Sequence, residues 1–102
     1  LDEVAAIDGV DVLFIGPADL TMELGIFGQF DHPYFLDAVD KIVNAAAKAK
    51  KAVGILFFNP EDYQKYHNLG IRFLACGADA TFVADGARNM ANKLADFRKQ
   101  QI

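Results

Sequence analysis

The chain has 102 residues, 53% of them hydrophobic, with a mean hydropathy of +0.14, above the roughly 45–50% apolar usage of an average soluble chain. Its 10 basic and 14 acidic side chains leave a net charge of −4. Lys48, Lys50 and Lys51 form its one basic run, so the electrostatic footprint of a nucleic-acid binder is missing. A single cysteine, Cys76, excludes an internal disulfide. There is neither a signal-peptide pattern nor a run of roughly 20 apolar residues, which points to a reducing, cytoplasmic setting and away from the membrane.

Leu1, Val4 and Ile7 recur at helical spacing and predict a short helix over 1–7 that Asp8-Gly9 ends. Opening on this pattern rather than on a methionine suggests a piece of a longer product. Residues 10–15 are apolar except for Asp11 and rich in β-branched side chains, the composition of a parallel strand buried on both faces. Gly16-Pro17 closes it, and Pro17 opens a short helix carrying Asp19, Leu20, Met22 and Leu24 that Gly25 stops. Asp31 is placed to cap a long helix with Pro33 in its first turn and Phe35, Leu36, Val39, Ile42, Val43 and Ala46 along one side. A second strand over 53–58 breaks at Asn59-Pro60, where Asn59 caps a helix that reaches Leu69 and ends at Gly70. The third strand, over 71–76, is interrupted only by Arg72, and Cys76 at its end reads as a small buried hydrophobe. Gly77 then turns the chain, Asp79 caps the last helix, and Phe82, Val83, Ala87, Met90, Leu94 and Phe97 form its apolar stripe.

Helices and strands that alternate with short connections argue for right-handed βαβ units around a parallel sheet, an α/β class. Both an open doubly wound sheet and a sector of a barrel satisfy that order. Three parallel strands leave two unpaired edges, and a whole (β/α)₈ barrel takes about 250 residues. Further strands are therefore expected from outside these residues.

In either architecture ligands gather at the carboxyl ends of the strands, here 16–19, 57–60 and 77–79. Gly16 permits a sharp turn and a close approach to a ligand. Pro17 begins a helix whose first free amides, at Ala18 and Asp19, point back toward the strand end, an arrangement that receives a carboxylate or a phosphate. A carboxylate beside such a seat is repulsive unless a cation lies between them, and a hard divalent ion such as Mg²⁺ takes one or two carboxylates plus substrate oxygens. Two readings of Asp19 stand on the residues alone: a ligand to a divalent ion shared with a 2-oxo acid, or a first-turn acid that favours the helix dipole. Asn59 and Asp79 read as helix caps. His32, beside a helix start, and His67, near a helix end, read as surface or capping residues. Arg72 within a strand and Arg88 on a helix are poorly placed for chemistry at the strand ends.

The run Gly9-Val10-Asp11-Val12-Leu13-Phe14-Ile15-Gly16-Pro17-Ala18-Asp19-Leu20-Thr21, followed by Leu24-Gly25 and His32-Pro33, resembles the HpcH/HpaI family of class II, metal-dependent pyruvate aldolases. Gly54-Ile55-Leu56, Gly70-Ile71-Arg72-Phe73-Leu74 and Gly77-Ala78-Asp79 fall where that family has its last two strands. The resemblance spans nearly the whole chain, and Ile15 to Leu20 is its most specific part. It implies the C-terminal sector of a (β/α)₈ TIM barrel, with 1–102 a partial barrel domain lacking the N-terminal strands. It also implies a homo-oligomer, trimer or hexamer, whose subunits exchange the last helix, from 79 to about 98. The implied activity is that of a lyase: cleavage of 4-hydroxy-2-oxo acids to pyruvate and an aldehyde through a metal-stabilised enolate, with Mg²⁺ or Mn²⁺ as the divalent metal and Co²⁺ as a third candidate.

By the same resemblance Asp19 is a metal ligand, Gly16, Pro17 and Ala18 receive the pyruvate carboxylate, and Leu56 lines the aldehyde side of the pocket. The family's base, its arginine and its second metal carboxylate lie in earlier strands. No catalytic residue is therefore expected within this chain, and the chain alone is expected to be inactive. The implied partners are a small 2-oxo acid and an aldehyde, with no nucleic acid and no membrane. Two alternatives remain: a related metal-dependent acyl-CoA lyase, which needs a basic site for the CoA phosphates that these strand ends lack, and a non-catalytic barrel fragment that serves assembly through its edges and last helix.

Overall fold

The computed structural model describes residues 1–101. Three strands, β1 (Val12–Ile15), β2 (Ala52–Phe57) and β3 (Phe73–Cys76), form one parallel sheet in the order β1-β2-β3. Phe14 lies opposite Gly54, which in turn lies opposite Phe73, and Ile15, Ile55 and Leu74 form the next row. The helices are α1 (Asp2–Ala5), α2 (Pro17–Glu23), α3 (Pro33–Lys48), α4 (Tyr63–Asn68), which a 3₁₀ turn over Pro60–Asp62 introduces, and α5 (Asp79–Gln101). The alternation expected from the hydrophobic periods is present throughout; β1 and β3 are each two residues shorter than the apolar runs that announce them, and β2 keeps its length but begins and ends one residue earlier. Val10 and Asp11 precede the β1 ladder, although the Asp11 carbonyl still accepts from the Ala52 amide at 3.1 Å.

One face of the sheet carries the core. Leu13 and Ile15 of β1 and Val53, Ile55 and Phe57 of β2 are buried in a cluster with Phe35, Val39 and Ala46 of α3, Tyr66 of α4, and Ile26 and Ile71 from loops. Each large apolar side chain buried there contributes roughly 1.5–3 kcal/mol relative to leaving it in water, so the α3 stripe and the odd-numbered strand residues hold the sheet to its helices.

The other face is open, which corrects the expectation of strands buried on both sides. Phe14 is 51% and Phe73 55% exposed, and their rings meet edge to face at 6.0 Å over Gly54. A Cβ at Gly54 would lie 2.7 Å from Phe14 Cδ2 and 3.0 Å from the Phe73 carbonyl oxygen, so only glycine lets the two rings close over β2. The physical reason for the open face is that α3 and α4 pack on the same side of the sheet. In a complete barrel the inner face is filled by side chains from the other strands.

Three further expectations change. His32, not Asp31, caps α3: its backbone is extended and its Nδ1 accepts from the Tyr34 amide at 3.0 Å. Pro33 takes the first helical position, which leaves the residue just before it as the cap. The Asp31 carboxylate instead pairs with the Lys65 ammonium, 34 residues away. Asp79 is the first residue of α5 rather than its cap, and its carboxylate accepts from the Ala80 amide at 2.8 Å. Cys76 is exposed, not buried; it ends β3, one of the two edge strands of the sheet.

The last helix has no buried residue. Its Phe82, Val83, Met90, Leu94 and Phe97 all face solvent, and at 23 residues it is about 35 Å long. It stretches the molecule to a radius of gyration of 18.4 Å, against about 13 Å for a globular chain of this length.

Candidate active site

The carboxyl ends of β1 and β2 converge on one cavity of about 400 Å³. Gly16, Pro17, Ala18 and Asp19 border it from the end of β1, and Leu56, Phe57, Phe58 and Asn59 from the end of β2. The five residues singled out from the sequence as ligand-facing, Gly16, Pro17, Ala18, Asp19 and Leu56, thus line a single space. A larger hollow of about 640 Å³ runs along the free edge of β1, between Leu1, Val4, Val12 and Ile42, and also reaches Asp19.

Gly16 is the N-cap of α2, with φ −92° and ψ 100°, and its carbonyl accepts from the Leu20 amide at 2.9 Å. Helix geometry leaves the amides of Ala18 and Asp19 without intrahelical acceptors. The Asp19 carboxylate folds back over Gly16: its Oδ2 lies 3.3 Å from the point a Gly16 Cβ would occupy. A side chain at position 16 would crowd that oxygen. The carboxylate is exposed and has no hydrogen-bond or ion-pair partner among the described residues. No group of three or more His, Cys, Asp or Glu that could hold a metal occurs among them either; Asp19 and Asp62 are the carboxylates that border the cavity. Asn59 behaves as the cap it was expected to be, its Oδ1 accepting from the Glu61 amide at 3.1 Å.

Five residues in or bracing the site carried no signal in the linear pattern. Thr21 is fully buried in α2; its hydroxyl donates to the Pro17 carbonyl at 2.8 Å, reaches the Ala18 carbonyl at 3.1 Å and accepts from the Gly28 amide at 3.1 Å. The Thr21 carbonyl accepts from the Ile26 amide at 2.9 Å. One residue therefore ties the turn at the cavity floor to the loop after α2. That loop brings Phe30 to the cavity wall, and Lys65 holds the loop's far end by donating to the Phe30 carbonyl at 3.0 Å and to the Asp31 carboxylate. Tyr66 and Asp62 complete the wall. Burial pushes the Tyr66 phenol above its ordinary pKa, and the nearby charges of Asp62 and Asp31 push it the same way.

His32 and His67 lie away from this space; His67 stacks on Tyr63 at 6.2 Å. The Arg72 guanidinium donates to the carbonyls of His67 and Ile71 at 2.8 and 3.0 Å, closing the end of α4. Arg88 pairs with Asp85 on exposed α5.

A parallel sheet with helices on its outer side, an open aromatic inner face and a cavity at the strand carboxyl ends is the arrangement of a sector of a (β/α)₈ barrel. The sequence model of the HpcH/HpaI aldolase/citrate lyase family matches residues 1–86, and the chain belongs to that family. It is 40% identical over 91 residues to a hydroxypyruvate/pyruvate aldolase of Agrobacterium fabrum and, equally, to a 4-hydroxy-2-oxo-heptane-1,7-dioate aldolase of Klebsiella pneumoniae; each match covers 89% of this chain and 34% of the relative. The crystal structure of an HpcH/HpaI aldolase/citrate lyase family protein from Burkholderia cenocepacia superposes with a TM-score of 0.81 at 32% identity, covering 92% of this chain and 37% of that one. The chain spans about a third of the length of the curated relatives it matches. No helix among the described residues is long and apolar enough to cross a membrane.

Proposed function

We propose that these residues are the C-terminal sector of a lyase that cleaves 4-hydroxy-2-oxo acids to pyruvate and an aldehyde, and that they supply one metal ligand and part of the substrate pocket. The observation that carries this reading is the unpartnered Asp19 carboxylate folded over Gly16 at the end of β1. The residues present fit a share in a divalent-metal site: a free carboxylate, a glycine that leaves room beside it, and amides of Ala18 and Asp19 that have no acceptor in the helix. Mg²⁺ or Mn²⁺, with Co²⁺ a third candidate, suits such an oxygen donor, since hard cations bind through one or two carboxylates and complete their shell with substrate oxygens. When bound, such an ion supplies Lewis-acid stabilisation of negative charge at the 2-oxo group.

In this account Gly16, Pro17 and Ala18 seat the carboxylate of the 2-oxo acid, the Ala18 and Asp19 amides donate to it, and Thr21 keeps that turn in place. Leu56 and Phe30 exclude water from the aldehyde side. The proton that leaves the C4 hydroxyl on cleavage goes to a base outside these residues, because none of the histidines described lies at the cavity. The subunits form a homo-oligomer, a trimer or hexamer, in which the apolar stripe of α5 packs on a neighbour. An acyl-CoA lyase is disfavoured by the cavity wall, whose ionised groups are the acids Asp19 and Asp62.

The test is exchange of the C3 protons of pyruvate with solvent in the full-length protein. Asp19→Ala is expected to lower the Mg²⁺- or Mn²⁺-dependent exchange by at least about a hundredfold. Exchange that persists at saturating metal removes Asp19 from the site.

A further inference from the structure

Resting on the aldolase reading, we infer that Lys65 is a positioning residue for the aldehyde step: from α4 it pins the loop after α2, so that Phe30 stands as a formed wall against the tail of the aldehyde. That loop, residues 24–32, joins α2 to α3 and is held differently at its two ends. Near its start Ile26 is buried, and the Gly28 amide donates to the Thr21 hydroxyl at 3.1 Å. At its far end, the hydrogen bonds that tie Phe30 and Asp31 to the rest of the chain, among the described residues, all come from one side chain. The Lys65 ammonium donates to the Phe30 carbonyl at 3.0 Å and to the Asp31 carboxylate, and it lies 5.3 Å from the centre of the Tyr66 ring on the cavity wall.

Where that backbone is pinned decides where the Phe30 ring stands. The ring meets Phe35, fully buried in α3, edge to face at 5.8 Å and borders the cavity as well. Without the ammonium, the Phe30 carbonyl turns to water, the end of the loop samples several positions, and in most of them the ring leaves the wall. The fold itself depends little on this clamp, because the Asp31 side chain is 92% exposed and exposed ion pairs add little to global stability. Lys65 does not border the cavity, so it acts through Phe30. The proposed pyruvate seat, Gly16 to Ala18, belongs to a different segment. Two half-reactions therefore separate: loss of a C3 proton from pyruvate needs the seat, whereas capture of the aldehyde needs the wall as well.

The experiment measures kcat/KM for butanal and for acetaldehyde in the full-length protein with saturating pyruvate and Mg²⁺, alongside exchange of the pyruvate C3 protons with solvent. Butanal carries a propyl tail that gains from a formed wall, and acetaldehyde only a methyl group. Lys65→Met is expected to lower the butanal-to-acetaldehyde ratio about fivefold or more, Lys65→Arg to keep it, and Asp31→Ala, at a hydrated carboxylate, to lower it about twofold. Phe30→Ala is expected to lower the ratio too, and Lys65→Met to add nothing in that background. A ratio that neither Lys65→Met nor Asp31→Ala moves overturns the inference, as does a Lys65→Met effect that persists once the Phe30 ring is gone. In either case continued proton exchange leaves the aldolase reading standing, whereas absence of exchange in the unsubstituted protein overturns both.

Discussion

At the scale of single residues, the site depends on a few hydrogen bonds that hold backbone in place. Thr21 is the clearest case: its buried hydroxyl and carbonyl make four contacts that join Pro17, Ala18, Ile26 and Gly28. Thr21→Val keeps the shape and removes the hydroxyl, which leaves the Gly28 amide and the Pro17 carbonyl short of a partner. The expected cost is about 1–3 kcal/mol, read as a lower midpoint of urea unfolding in the full-length protein; an unchanged midpoint would mean that water replaces the hydroxyl without loss. Asp19 and its glycine were legible from the sequence because the turn that positions them is local, spanning four consecutive residues. Thr21, Phe30 and Lys65 were not, since each acts through a partner 7 to 35 positions away, and no periodicity encodes such a pairing.

Element ends follow the same division between local and distant causes. The strand and helix order was readable from apolar periods and from Gly and Pro, and the Asn59 cap from its place before Pro60. The α3 cap was misplaced by one residue, because Pro33 fixes the first helical position and with it the cap at His32. At its other end α3 closes in a Schellman turn, with the Lys51 amide donating to the Ala46 carbonyl at 2.8 Å and the Lys50 amide to Ala47 at 3.1 Å. Lys50 there holds a φ of 57°, the left-handed region that costs a side-chain-bearing residue about 1–2 kcal/mol. Lys50→Gly is therefore expected to stabilise the protein by about 1 kcal/mol, seen as a higher urea midpoint with an unchanged denaturant slope. A fall in stability would show that the Lys50 side chain contributes more than its left-handed backbone costs; the hydrogen bond to the Ile7 carbonyl at 3.3 Å comes from the ammonium of the neighbouring Lys51.

For the whole molecule, the sequence indicated that three parallel strands leave something unpaired, but not which face. The answer lies in the register: Phe14, Gly54 and Phe73 form one row, and that row faces outward from the helices. Burial by the missing part of a barrel cannot be read from the strands themselves, because an apolar run looks the same whether its second face is covered by its own chain or by other strands. The exposed stripe of α5 has the same character. In the proposed reading both surfaces are covered, and the Asp19 site is completed, by groups beyond these residues. The most direct measurement is a Mn²⁺ titration of the full-length protein with and without pyruvate, followed by water-proton relaxation. Pyruvate is expected to tighten Mn²⁺ binding, and Asp19→Ala to weaken it by about tenfold or more; binding that is indifferent to both pyruvate and that substitution would contradict the account.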